Sequence, residues 1–149
     1  MEKTLHKIID GCHRYTDEET DRWYNKRGQL HRNGGPAVIK KDGYMAWWVA
    51  GRRHRSDGPA MIYADGSTEW FMCGLLHNDY GPAKVFKFDD GTKHLEWWKN
   101  GELHREDGPA VKHVDGKQEW WLYGKKVECN TIYSCICKRI AKKRYSKCS

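Results

Sequence analysis

The chain has 149 residues, enough for one domain and short for two, and only 38 % of them are hydrophobic, which excludes a thick conventional core. No run of 18 apolar residues occurs and the opening stretch lacks the apolar segment of a secretory signal, so a soluble, intracellular protein with reduced thiols is expected. The net charge of +7 belongs to one end: residues 125–149 hold eight Lys/Arg against one Asp/Glu, while the first 124 residues hold 19 of each.

Residues 1–22 form an N-terminal segment in which Leu5, Ile8, Ile9 and Cys12 follow helical spacing from Thr4 to about Tyr15, with Gly11 as a weak point. A short cap helix is predicted there. From Trp23 to Gly124 the chain repeats itself. Gly-Pro-Ala tripeptides begin at Gly35, Gly58, Gly81 and Gly108, spaced by 23, 23 and 27 residues, and contain all four prolines. An aromatic pair recurs as Trp23-Tyr24, Trp47-Trp48, Trp70-Phe71, Trp97-Trp98 and Trp120-Trp121, which accounts for all eight tryptophans.

Asp42-Gly43, Asp65-Gly66, Asp90-Gly91 and Asp115-Gly116 each separate two short β-rich runs, and Asp-Gly tolerates the positive φ of a tight hairpin turn. Each copy is therefore one hairpin, entered at a proline that cannot donate a ladder hydrogen bond. A second turn follows at Gly28, Gly51, Gly74, Gly101 and Gly124. The four extra residues of the third copy, around Lys87 to Lys93, are expected to lengthen its hairpin or loop. Four stacked hairpins give a meander of about eight strands, with the two rings of each aromatic pair on opposite faces of a single layer.

The unit Leu103-His104-Arg105-Glu106-Asp107-Gly108-Pro109-Ala110, preceded by Asn100-Gly101, resembles the MORN repeat. The similarity is to the variant with a Leu-His-Arg-x-Asp-Gly-Pro-Ala core found in phages and large DNA viruses, and it spans Trp23 to Gly124. The chain departs from the common pattern where Gly-x-Gly follows the histidine, and the Asp before Gly-Pro-Ala occurs only as Asp57 and Asp107. The resemblance implies an elongated sheet serving assembly, dimerisation, or membrane and protein attachment, in a virion or viral factory.

His54 with Asp57 and His104 with Asp107 have the composition of a base and its orienting carboxylate. They recur once per structural unit, which points to turn capping and to a protein without catalytic residues. Arg32, Arg55 and Arg105 would fall in a row able to hold phosphate, or would pair with Asp57, Glu106 and Asp107. The aromatic rows of Trp23, Trp47, Trp48, Trp70, Trp97, Trp98, Trp120 and Trp121 are able to stack on bases or sugars, but burial is the expected use.

In the tail, Ile132, Tyr133, Ile136, Cys137 and Ile140 follow helical spacing from Asn130, with Lys138, Arg139, Lys142, Lys143, Arg144 and Lys147 gathered opposite. Such a basic amphipathic helix either caps the repeat stack or binds nucleic acid or an anionic membrane. Cys129, Cys135, Cys137 and Cys148 contain no Cys-x-x-Cys pair, so neither metal nor cofactor is expected, and Cys148 is a candidate for an intermolecular disulfide.

The sequence thus predicts an all-β, single-layer antiparallel meander of four β-hairpin repeats with short helical ends, divided as 1–22, 23–124 and 125–149. The function expected is a non-enzymatic scaffold for protein–protein assembly, a homodimer without a small-molecule substrate and, by resemblance, a viral structural or virion-associated protein. The alternative is a protein that binds DNA, RNA or an anionic membrane through its tail.

Overall fold

The computed structural model describes residues 4–9 and 11–128, which are all-β and contain no helix. Three strands precede the repeats: β1 (Thr4–Ile9), β2 (Cys12–Thr16) and β3 (Thr20–Tyr24). The first copy supplies β4 (Val38–Lys40), β5 (Met45–Ala46), β6 (Trp48–Val49) and β7 (Arg52–Arg53). The second supplies β8 (Met61–Ile62), β9 (Thr68–Glu69), β10 (Phe71–Met72) and β11 (Leu75–Leu76). The third gives β12 (Lys84–Lys87), β13 (Lys93–Glu96), β14 (Trp98–Lys99) and β15 (Glu102–Leu103). The fourth gives β16 (Val111–Lys112), β17 (Gln118–Leu122) and β18 (Lys125–Val127).

Twelve strands form one antiparallel meander in the order β1-β2-β3-β4-β5-β8-β9-β12-β13-β16-β17-β18. Eight of them are the four repeat hairpins. The remaining pairs, β6-β7, β10-β11 and β14-β15, are two-stranded hairpins of their own, so each copy carries a long turn and a short one. The extra residues of the third copy lengthen its hairpin: β12 and β13 pair over four positions, from Lys84↔Glu96 to Lys87↔Lys93.

The two turns differ in kind. At Asp42-Gly43 only the glycine has positive φ (95°), the Gly43 N–H donates to the Lys40 carbonyl, and the Asp42 carboxylate accepts from the Tyr44 N–H. That is a three-residue loop closed by a glycine bulge, with the aspartate as an internal acceptor. The tight two-residue turn of type I′ lies instead at the second site, where both Asn100 (52°) and Gly101 (84°) are left-handed. Ala50, Cys73 and Tyr123 adopt the same conformation as Asn100.

The predicted N-terminal helix is not formed. Thr4–Ile9 and Cys12–Thr16 are strands that pair from Thr4↔Thr16 to Ile9↔Cys12, turning at Gly11 with φ 75°. Helical spacing misled because β3 offers an unpaired edge, and β2 satisfies it from His13↔Tyr24 to Thr16↔Asp21. Tertiary pairing overrides a weak local pattern. At the other end the sheet passes Gly124, since Lys125–Val127 pairs with Trp120–Leu122. The helix predicted from Asn130 lies outside the described residues.

Residues paired directly across a ladder share a face. One line runs Val38, Ala46, Met61, Glu69, Lys84, Glu96, Val111, Glu119 through successive registers. The short hairpins lay their aromatic residues along this line: Trp48, Phe71 and Leu76 pack with Val38, Ala46 and Met61. Farther on, the indole N–H groups of Trp98 and Trp121 donate to Glu96 (2.7 Å) and Glu119 (3.1 Å). The opposite face carries Ala37, Ala60, Ala83 and Ala110, all 0 % exposed, beside the first ring of each aromatic pair.

Candidate functional site

The recurrent His, Arg, Gly, Pro and Ala residues form a single structural device. The Arg32, Arg55 and Arg105 guanidinium groups lie 4.0, 4.0 and 4.1 Å from the ring centroids of Trp23, Trp47 and Trp97. Each also donates from Nη1 to a proline carbonyl four residues on, at Pro36, Pro59 and Pro109. The Gly-Pro-Ala glycine leaves room for this: a Cβ on Gly58 would meet the Arg55 guanidinium carbon at 2.8 Å. Arg55 and Arg105 complete the unit by pairing from Nε with Asp57 (2.9 Å) and Asp107 (2.7 Å), holding both carboxyls below the usual range. Glu106 faces His104, Oε1 to Nε2 at 3.8 Å.

The histidines join neighbouring copies. Nδ1 of His31, His54, His77 and His104 accepts the N–H of Ala50, Cys73, Asn100 and Tyr123 at 3.1 to 3.2 Å. Each bond reaches the left-handed turn residue of the next copy and places the ring proton on Nε2. The Cys73 thiol is exposed and 3.6 Å from His54 Nδ1, but that nitrogen already accepts the Cys73 amide and is not available to take the thiol proton. The arginines and histidines of these rows are thus engaged within and between the repeat units.

The third connector breaks the pattern twice. Asn78 replaces the arginine and Tyr80 replaces the aspartate of copies two and four. Asn78 keeps the loop closed by donating to the Pro82 carbonyl (3.1 Å) and accepting the Tyr80 N–H (3.0 Å). Tyr80 is left 98 % exposed. It borders a cleft of about 360 Å³ between the third and fourth connectors, whose wall includes Asp79, Trp97, Lys99, Arg105 and Asp107. Asp79 accepts from His77 Nε2 (3.1 Å) and approaches Lys99 Nζ (3.4 Å), and the histidine contact foremost holds its carboxyl below the usual range.

The opposite face also carries a second, unforeseen feature. One residue out of step with the inner line, Ile39, Met45, Ile62, Thr68, Val85 and Leu95 are paired in unbroken sequence across six strands, and every one is partly exposed. The signal for it was present as adjacent apolar residues, such as Val38-Ile39 and Met61-Ile62, which must point to two faces.

Trp23 is buried, and Trp47, Trp48, Trp70, Trp97, Trp98, Trp120 and Trp121 are half-buried. Lys138, Arg139, Lys142, Lys143, Arg144 and Lys147, with Cys129, Cys135, Cys137 and Cys148, lie outside the described residues. Cys12 is buried in a small cluster with Trp23 and Ala37, and no group of three or more metal-ligating side chains occurs among the described residues. No family model matches this chain, and no curated protein matches it.

Proposed function

We propose that the protein is a non-enzymatic repeat scaffold that assembles through a sheet face, in the first place with a second copy of itself. The observation that carries this reading is the partly exposed row Ile39, Met45, Ile62, Thr68, Val85 and Leu95, apolar except for Thr68. The six strands of the row at ~4.8 Å span ~24 Å, about half of the twelve-strand sheet, so an interface near the ~800 Å² that each partner gives as standard draws on the flanking strands as well. Two such faces stack ~10 Å apart in a self-complementary dimer. Resemblance to the MORN variant adds the setting: a viral structural or virion-associated protein.

Light scattering at micromolar concentration tests the assembly. A dimer mass for the native chain, falling to the monomer in the Ile62→Lys, Val85→Lys double variant with its β-sheet signal retained, supports it. A monomeric native chain sinks it.

A second reading rests on the tail, where residues 129–149 carry six Lys/Arg and no Asp/Glu. Binding of nucleic acid by such a run of cations would release counterions and so weaken steeply with salt. Truncation after Glu128 leaves β18 whole. Loss of salt-sensitive DNA retention in that truncation, with dimerisation unchanged, assigns nucleic-acid contact to the tail.

A further inference from the structure

The double departure of the third connector has no counterpart in what the repeat needs for folding. Copies two and four use Arg with Asp two residues later, and the pair is charge-matched: Arg55 with Asp57, Arg105 with Asp107. In copy three both members change together, and Asn78 alone retains the contact to the proline carbonyl. The consequence is a tyrosine released from the frame, standing in solvent at the mouth of a cleft of about 360 Å³.

The lining selects a ligand by elimination. Asp79, Glu106 and Asp107 outnumber Lys99 and Arg105, so an anion meets net repulsion. A cation finds the carboxylates of Asp79, Glu106 and Asp107 already facing Lys99, His104 and Arg105, and the Trp97 ring already facing Arg105. An apolar ligand would strip water from all these charges without replacing it. What remains is a neutral, hydroxyl-rich ring: its hydroxyls donate to carboxylates and accept from Lys99 and Arg105, while its C–H face lies on an aromatic ring.

We propose that the cleft between the third and fourth connectors, with Tyr80 at its mouth, is a binding site for a neutral saccharide. Tyr80 supplies the stacking surface, and Asp79 and Asp107 orient the hydroxyls. The cleft shares no lining residue with the apolar row proposed for self-assembly.

The experiment titrates the full chain with maltotriose, cellotriose and chitotriose, following the indole N–H resonances of Trp97 and Trp98. At least one sugar is expected to shift them with a Kd of about 1 mM or tighter. Tyr80→Ala should weaken that binding about tenfold with an unchanged melting temperature. Restoring the repeat pattern with Asn78→Arg, Tyr80→Asp should abolish it while leaving the fold intact. The proposal is overturned if none of the three sugars shifts these resonances at about 10 mM, or if either variant binds as the native chain does.

Discussion

The first two copies and the last two share one backbone and are held together by different chemistry. Along the inner line, copies one and two place Val38, Ala46 and Met61 under Trp48 and Phe71, a cluster of buried apolar side chains, with Glu69 as the one charged member. At equivalent positions copies three and four place Lys84, Glu96 and Glu119, with Trp98 and Trp121 hydrogen-bonded to the two glutamates and Val111 as the one apolar member. The titratable groups record the contrast. Burial foremost pushes the Tyr63 hydroxyl up to about 12 in the first half, while hydrogen bonding, from Lys126 foremost, holds the Glu119 carboxyl down at about 2 in the second. The lesson is that turns, prolines and the arginine device set the register, and the inner line needs only to be complementary, whether by oil or by charge.

The largest effect should come from truncating that line where it is apolar. Met61→Ala removes a buried side chain that cannot be replaced by water and should cost about 2–5 kcal/mol in urea unfolding. Lys84→Met, the same repeat position one copy later, keeps the packing of the stem and removes the ammonium from Glu69 (3.5 Å), a carboxylate only 7 % exposed, so its cost should be electrostatic and should shrink when Glu69→Gln is made with it. A cost unchanged in the Glu69→Gln background would erase the distinction between the halves.

Next in size, pH should loosen the halves from opposite ends. Glu119 has a folded pKa below its ordinary 4.5, so its contribution is present above that value and disappears as pH falls through about 2. Tyr63 has a folded pKa above its ordinary 10, so its contribution is complete below pH 10 and is lost as pH rises through about 12. Hydrogen exchange should show amides around β16 to β18 opening first in acid and those around β4 to β9 first in alkali. Glu119→Gln should flatten the acid arm alone, and Tyr63→Phe the alkaline arm alone.

Much of this was legible in the sequence because the repeat states it four times. The Gly-Pro-Ala entries, the aromatic pairs and the longer third hairpin stand where periodicity put them. The N-terminal strands were not legible: Leu5, Ile8, Ile9 and Cys12 have helical spacing, and only the open edge of β3 makes the segment extend. The arginines read as solvated ion pairs because composition shows Asp57 and Asp107 beside them, whereas the ring of Trp47 and the carbonyl of Pro59 that Arg55 also engages are matters of three-dimensional closure. The cleft was half visible, since Asp79-Tyr80-Gly81 departs from the pattern, but nothing in a linear sequence says that the released tyrosine faces solvent.

A smaller effect should follow from cutting one staple between copies. His54→Ala leaves the Cys73 N–H to water at an exposed turn, so the loss should be about 1 kcal/mol rather than the penalty of a buried orphan. The same change at His104, which is buried and also stacks 4.2 Å from Tyr123, should cost more. Thermal melting of the two variants side by side gives the ranking.

The smallest effect concerns the short turns, where the halves differ by a single favourable residue. A left-handed conformation costs an ordinary L-residue about 1–2 kcal/mol, and asparagine tolerates it best after glycine. Asn100 holds that place in the second half, whereas exposed Ala50 holds it in the first with φ 47° and the same bond to a histidine. Ala50→Asn should therefore raise stability by about 0.5–1 kcal/mol, and Asn100→Ala should lower it by a similar amount. If both changes were neutral, the type I′ turns would be carrying no strain, and the stacking of copies would have to be credited to the arginine device and the inner line alone.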